Sequence, residues 1–533
     1  MKKICYMLSG LLIIAFSACK KDLLDSKPLS QYSDATVWKD STLVKLYVSN
    51  IYRGMPSEYE SASSFDALSN YTDESTDNRT FVASYTYNTN TNNATNAPFN
   101  SLWNAYYVQI RNCNVFLDNI GSLNASAGLK NRFTGEVRFL RALYYHYLYN
   151  YFGRFPILTK TLNTTDNLYI PRGSNTECIN FITAELQAAS DMLPKSYTGN
   201  DRGRATKGAA LALMCRTYLY GGQWQKAADA ATAVMQLNLY SLYPDYQSMF
   251  YTANEYNSEV ILDKEYLALS STNQSTSFDN STLPPNYTGR SSGAINPNGA
   301  LVDAYEMKDG TTFDWNNPVH KADPYANRDP RFDASIVHDG TVLYGLPVNM
   351  FVGSTANPAT RPSATGYYIR KGLDPTYDPN QTLNFSGQNF IMIRYAEVLL
   401  NYAEAQYNLG NIEEARTYVN KVRARTSVNM PAIPAISFTM DKLRHERFVE
   451  LAFEGLRLWD INRWKIGPQT RGAASLTGVT IGGTLAGPHT YTPVAVNAQR
   501  QFADKMNLFP IPYTEIIKYP ASTPLVQNTG WEQ

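Results

Sequence analysis

Three polar stretches of the chain place flat rings beside planar hydrogen-bonding groups. The first carries Asn78, Arg79, Phe81, Tyr85 and Tyr87. The second carries Asn286, Tyr287 and Arg290, and the third Phe313, Asp314, Trp315 and Asn316. A ring packs against an apolar face, while amides, carboxylates and guanidiniums fix the direction of hydroxyls around it. Such sets hold a ligand without any covalent step. Trp315 lies in TTFDWNNP, where no helical stripe accounts for it. Trp103, Trp224, Trp459 and Trp464 instead fall on helical patterns and read as packing residues. The ligand-binding candidates are therefore Trp315, Phe313, Tyr287, Arg290, Tyr85, Tyr87, Asn78 and Arg79. Loop packing or a protein interface is the competing reading for each aromatic.

Covalent catalysis has no comparable signature. The chain contains no HExxH, phosphate-binding P-loop, GxGxxG or GxSxG motif. Its five histidines, His146, His320, His338, His445 and His489, are not spaced as metal pairs. No catalytic residue, metal ligand or cofactor is assigned. Hydrolysis of a glycosidic bond would need two carboxyls about 5–10 Å apart, and nothing singles out such a pair among the 46 acids. Lys and Arg number 47, giving a formal charge of +1. That balance lacks the basic excess of a general nucleic-acid binder. The ionic run 443–464 reads as a clamp between helices, because Leu451, Phe453, Leu456 and Trp459 thread through it, with an anion site as the alternative. Within it, Arg457 and Asp460 have the spacing of a helical i, i+3 pair.

One thiol has a distinct chemistry. Residues 1–19 read MKKICYMLSGLLIIAFSAC, with Lys2 and Lys3 ahead of an apolar stretch from Met7 to Phe16. That stretch is shorter than the roughly 20 residues a spanning helix needs. Small residues directly before Cys19 resemble a bacterial lipobox, in which the cysteine is lipidated and becomes the new N-terminus. An ordinary signal peptide cleaved near Ala18 is the alternative. Removal of residues 1–18 deletes Lys2 and Lys3 and no acid, taking the formal charge from +1 to −1. Residues 19–32 then form a lipidated tether, and residues 33–533 a single fold. Cys113, Cys178 and Cys215 match no zinc or redox spacing and read as buried free thiols.

The elements that must position the loops are helical. Residues 134–151 put Val137, Leu140, Leu143, Tyr144, Tyr147 and Tyr151 on one helix face. Helix pairs are predicted at 205–220 with 224–236, and at 391–408 with 412–425. In each pair a glycine, Gly222 or Gly410, precedes an alanine, Ala227 or Ala415, by five residues. A glycine ends the first helix in a left-handed cap, and the alanine lets the helices approach closely. This is the arrangement of a tetratricopeptide hairpin, with an ordinary αα-hairpin as the alternative. The copies lie 188 residues apart and form no tandem array in sequence. The scaffold therefore covers about 38–60, 101–260 and 391–465, with loop-rich regions at 61–100 and 265–390. A C-terminal segment, 466–533, holds a possible short hairpin between 466 and 500. The fold class is mainly α, with minor β.

These blocks, taken in order, resemble the SusD/RagB family. The resemblance rests on LLDSKP after the lipobox (23–28) and SNYTDE (69–74), and on Trp103, Tyr106, Tyr107, Ile110 and Asn112. It continues through GEVRFLRALYYHYLYNYFGRFPIL (135–158), GRATKGAALALMCRTYLYGGQWQKAADAA (203–231), LVDAYEMKDG (301–310) and NRDPRF (327–332). RYAEVLLNYAEAQYNLG (394–410), LRHERFVELAFEGLRLWDINRW (443–464) and NLFPIPYTEI from Asn507 complete it. It covers nearly the whole chain after the leader. It implies a lipoprotein of the outer membrane surface that binds glycan and delivers it to a TonB-dependent SusC-like transporter. A pyranose has the apolar face and hydroxyl edge that the loop residues suit. Family loops vary, so no motif carries ligand residues onto these positions. Peptide or glycopeptide binding by the same architecture is the alternative, and a secreted hydrolase is a third reading.

Overall fold

The computed structural model describes residues 37–63, 67–77, 79–268, 275–285, 291–376, 386–496 and 499–532. The leader, Cys19 and the tether lie outside these residues. The described chain is mainly helical. Its principal helices are α1 (Ser41–Arg53), α2 (Asn100–Asn119), α3 (Ala127–Phe152), α4 (Asn175–Met192), α5 (Lys207–Tyr220) and α6 (Trp224–Gln236). Four more follow: α7 (Tyr395–Asn408), α8 (Ile412–Arg423), α9 (Met440–Glu450) and α10 (Arg457–Trp464). The long third helix starts at Ala127, seven residues before the expected residue 134. Ser126 accepts a hydrogen bond from the Leu129 N–H there and caps the orphan donors.

The two glycine turns close alike. Gln223 N–H donates to the Tyr218 carbonyl and Gly222 N–H to that of Leu219. Asn411 N–H and Gly410 N–H do the same toward Gln406 and Tyr407. Both glycines have positive φ, +68° and +87°. These are the paired bonds of a Schellman cap. Ala227 and Ala415 are fully buried at the helix crossings. The pairs are not neighbours in sequence, yet α6 packs directly against α7. From α2 to α8 each helix packs on the next, so a tetratricopeptide-like stack forms in space across a long insertion.

One boundary differs from the sequence expectation. Residues 390–394 form a strand, β2 (Phe390–Arg394), antiparallel to β1 (Val260–Lys264), and the helix begins only at Tyr395. All five residues of β2 are buried. A short run buried on every side has no period to separate strand from helix, and its partner lies about 130 residues upstream. The hairpin expected within 466–500 consists of β3 (Thr477–Gly482) and β4 (Thr490–Ala495). Cys113, Cys178 and Cys215 are buried and free.

Insertion and stack are joined by a buried ionic cluster. The Glu450 carboxylate, at the end of α9, lies 2.7 Å from Arg394, 2.7 Å from Arg425 and 2.9 Å from Arg331. Arg331 also meets Asp329 and Glu446. Arg394 meets Glu259 and Glu454. Every one of these side chains is at most 9% exposed. Burial alone would push the Glu450 carboxyl up, but the charges of Arg425, Arg394 and Arg331 outweigh it and hold it well below the usual range. The expected Arg457–Asp460 pair does not form. Arg457 reaches Asp73 at 2.6 Å, and Asp460 is taken by Arg447 and Arg463.

Removing one partner from such a cluster leaves charges buried without compensation. Glu450→Gln is expected to cost about 3–5 kcal/mol, read as the midpoint of urea unfolding, whereas Glu413→Gln, in an exposed pair with Arg416, leaves the midpoint unchanged. Glu450, Glu454, Glu306 and Asp460 all titrate below their unfolded values. Their contribution is complete above about pH 5 and drains away as pH falls through 4.5 and below. The melting temperature should therefore drop steeply below pH 4.5, and a profile unchanged from pH 4.5 down to pH 3 would contradict this account.

Candidate functional site

The exposed strand β4 is flanked by two of the three loop sets. At its end, Val494, Ala495 and Val496 line a cavity of about 400 Å³ with Thr76, Asp77, Tyr85 and Ala364. Tyr85 is half-buried, and its hydroxyl donates to Gln499 at 2.8 Å. Arg79 folds onto Asp77, with Nε 2.7 Å from the carboxylate, and its guanidinium stands 5.6 Å from the Phe81 ring. Phe81 is 78% exposed, so its ring is open to solvent beside a charged pair. Tyr87 does not share this surface. It is 1% exposed, donates to the Met506 carbonyl and stacks on Phe509.

Near the start of β4 lies the Trp315 loop. The short helix that follows it, Pro318–Ala322, packs on the strand. The Trp315 ring is half-buried, and its Nε1–H donates to both carboxylate oxygens of Asp303 at 3.1 Å. Burial pushes the Asp303 carboxyl up to about 6, against the charge of Arg328 and the indole hydrogen bond. Phe313 supports the loop rather than facing outward. His320 stacks on it and the Arg328 guanidinium lies 4.0 Å from its centroid. At 6% exposure it offers a ligand no free face. On β4 itself, Tyr491 donates to Asp339, which also binds His489. That hydrogen bond raises the His489 pKa.

The motif segments hold these loops in place. Asn298 joins three strands of chain. Its Nδ2 donates to the carbonyls of Asp73 and Ser475, and its Oδ1 accepts from Thr477 N–H at 2.8 Å. Glu74 accepts from Phe453 N–H. In NRDPRF, Arg328 donates to the carbonyls of Val302, Tyr305 and Pro324. Asp329 caps the short helix Pro330–Ser335, its side chain accepting from Arg331 N–H.

Of the sequence candidates, Arg79 and Tyr85 stand beside the cavity, and Trp315 stands at the other end of β4. Phe313 and Tyr87 are buried. Asn78, Tyr287 and Arg290 lie outside the described residues. Asp77, Asp303, Tyr491 and residues 494–496 were not singled out, because their proximity comes only from the fold.

A second cleft, of about 560 Å³, opens between α1 and β1 and is lined by Glu60, Glu255, Asp263 and Glu265 together with Arg53, Arg202, Arg204 and Lys264. Burial, then the charge of Glu265, pushes Asp263 up to about 7, and a hydrogen bond from Asn389 opposes the rise. Among the described residues no group of three His, Cys, Asp or Glu side chains can hold a metal ion. No helix among them is long and apolar enough to cross a membrane.

The Asp303–Trp315 contact has a spectroscopic signature. Protonating the carboxyl near pH 6 removes the charge that faces the indole N–H. The difference in tryptophan fluorescence between the parent protein and Trp315→Phe should titrate with a midpoint near 6, and Asp303→Asn should abolish that titration.

Comparison with known proteins agrees with the motif order. A family model described as the SusD family matches residues 258–531, just over half the chain. A second, described as starch-binding associating with outer membrane, matches residues 22–219. A solved SusD-like protein from Bacteroides fragilis is 32% identical, with a TM-score of 0.83 over 95% of this chain and all of the other. A SusD-like carbohydrate binding protein from the same species is 27% identical, with a TM-score of 0.77 over 90% and 98% of the two chains. SusD-like protein P2 of Formosa agariphila is 26% identical over 72% of this chain and 74% of its own length. The chain belongs to the SusD family.

Proposed function

We propose that this member of the SusD family is a non-enzymatic glycan-binding protein of the cell surface. In this reading Cys19 carries the lipid that anchors it in the outer membrane, and residues 20–32 tether a single fold, 33–533. It hands its ligand to a TonB-dependent SusC-like transporter. The observation that carries the reading is the β4 face. An open ring, Phe81, stands beside the Asp77–Arg79 pair near one end of β4, and a rigidly held indole, Trp315, precedes the short helix packed on the same strand, whose six residues span about 17 Å. A chain of sugar rings presents alternating apolar faces and hydroxyl edges on that scale, and none of these side chains needs a proton shuttle to bind it. The carbohydrate-binding relative from Bacteroides fragilis supports the ligand class.

Two other readings have an observation each. A peptide could pair with the outer edge of β4, since the sheet has only two strands; Pro493 removes one donor from that edge. Hydrolysis is favoured by Asp263, an acid held near neutrality in a cleft.

Lipid-free protein starting after Cys19 should be retarded by one polysaccharide of a panel in affinity gels, with Phe81→Ala and Trp315→Ala each weakening the interaction at least tenfold by calorimetry. Retardation unchanged in both variants would remove the β4 face from the reading. Binding to peptides and to no glycan would replace it with the peptide reading. The same protein, incubated with the retained polysaccharide, should release no reducing ends over a day. Release that disappears in Asp263→Asn would make the protein a hydrolase.

A further inference from the structure

Two buried guanidiniums, before β3 and after β4, form no ion pair among the described residues. Arg471 and Arg500 are each 1% exposed. Arg500 Nη2 donates to the Thr72 carbonyl, and Arg471 Nη1 to that of Met506. Their other nitrogens, Arg471 Nε and Nη2 and Arg500 Nε and Nη1, have no hydrogen-bond partner among the described residues. The same holds for Asn70 Nδ2 and for the oxygen of Asn88. These residues belong to one small region. The Arg471 guanidinium stands 5.5 Å from the Tyr87 ring, Asn88 Nδ2 donates to the Asn70 carbonyl, and Gln501 N–H donates to that of Asn88.

The local charge does not balance. The one carboxylate whose charge acts on both guanidiniums, Asp73, is already gripped by Arg457 through two bonds of 2.8 and 2.6 Å. Burial pushes Glu74 up to about 8, so it is largely neutral at pH 7. The Tyr87 hydroxyl is neutral and donates its proton to Met506. Burial, helped by the Arg471 charge, lowers Arg500 to about 9, and it still carries its proton at neutral pH. An unpaired buried charge is costly, and each buried group without a hydrogen bond adds to that cost. Among the atoms just named, five unpartnered donors face one unpartnered acceptor, a composition that suits an anion rather than a cation. The enclosure favours a small one. Asn70 is 0% exposed and Tyr87 1% exposed, and the cavities described above do not reach these guanidiniums.

We propose that a single halide-sized inorganic anion, chloride in ordinary buffers, binds between Arg471 and Arg500 and fastens the segment after β4 to the residues around Asn70 and Asn88. The site belongs to the fold and does not depend on which ligand the β4 face takes.

The probe is bromide. Lipid-free protein is crystallised with sodium bromide, and anomalous data are collected at the bromine edge. In parallel, melting is followed in sodium chloride, sodium bromide and sodium gluconate at equal ionic strength, for the parent and for Arg500→Met. The expected result is an anomalous peak within hydrogen-bonding reach of both guanidiniums, with melting raised by about 2 °C in either halide relative to gluconate and that rise lost in Arg500→Met. The crystal measurement needs only the parent protein, so it stands even where Arg500→Met fails to fold. A peak-free site with ordinary water overturns the proposal. A peak without any halide effect on the parent's melting, or with an effect that Arg500→Met retains, marks an adventitious ion only and also overturns it.

Discussion

A carboxylate that no solvent reaches sits where the parts of this protein meet. Glu450 closes helix α9, and its three arginines come from β2, from the end of the second hairpin and from the loop-rich insertion. Hydrophobic contact is non-directional and would tolerate sliding of these parts. A fork of guanidiniums around one carboxylate has few acceptable geometries. Because every partner is buried, none of the bonds can be exchanged for water. The relation of the insertion to the helical stack is thereby fixed, and with it the position of β4 and the loops around it.

The stack meets a different constraint. Two hairpins of the same design have an insertion between them, yet they pack as neighbours because each leaves an alanine-lined face that only another helix can cover. The insertion is therefore held at both ends by a rigid base. Loop closure grows in cost only slowly with length, so a long, irregular excursion is tolerated there. Such loops on a rigid scaffold are where binding residues concentrate.

Much of the scaffold was legible in the sequence. The Gly222–Ala227 and Gly410–Ala415 offsets read correctly as capped helix pairs, since a Schellman turn is a local event. Contacts between distant residues were not legible. Arg457 has a plausible partner three residues on, but it takes Asp73, 384 residues away, because Asp460 is already held between Arg447 and Arg463. Phe313 looked like a free ring until His320 and Arg328 were brought over its faces. Tyr87 likewise alternates with Tyr85 in sequence but turns inward, where Phe509 awaits it. Trp315 is half-buried, and Asp303, twelve residues earlier, fixes its indole edge-on.

The displaced helix pair also has a consequence in time. On a ribosome the first hairpin is complete once Gln236 has emerged, but the helix that covers its outer face begins only at Tyr395. At about 5–20 residues per second, that face waits on the order of ten seconds or more. During the wait the face of α6 that α7 will cover is presented to whatever is nearby. The nascent chain thus passes through a stage with a ready-made docking face and no native partner, the circumstance in which holding factors act and in which two copies can join hairpin to hairpin.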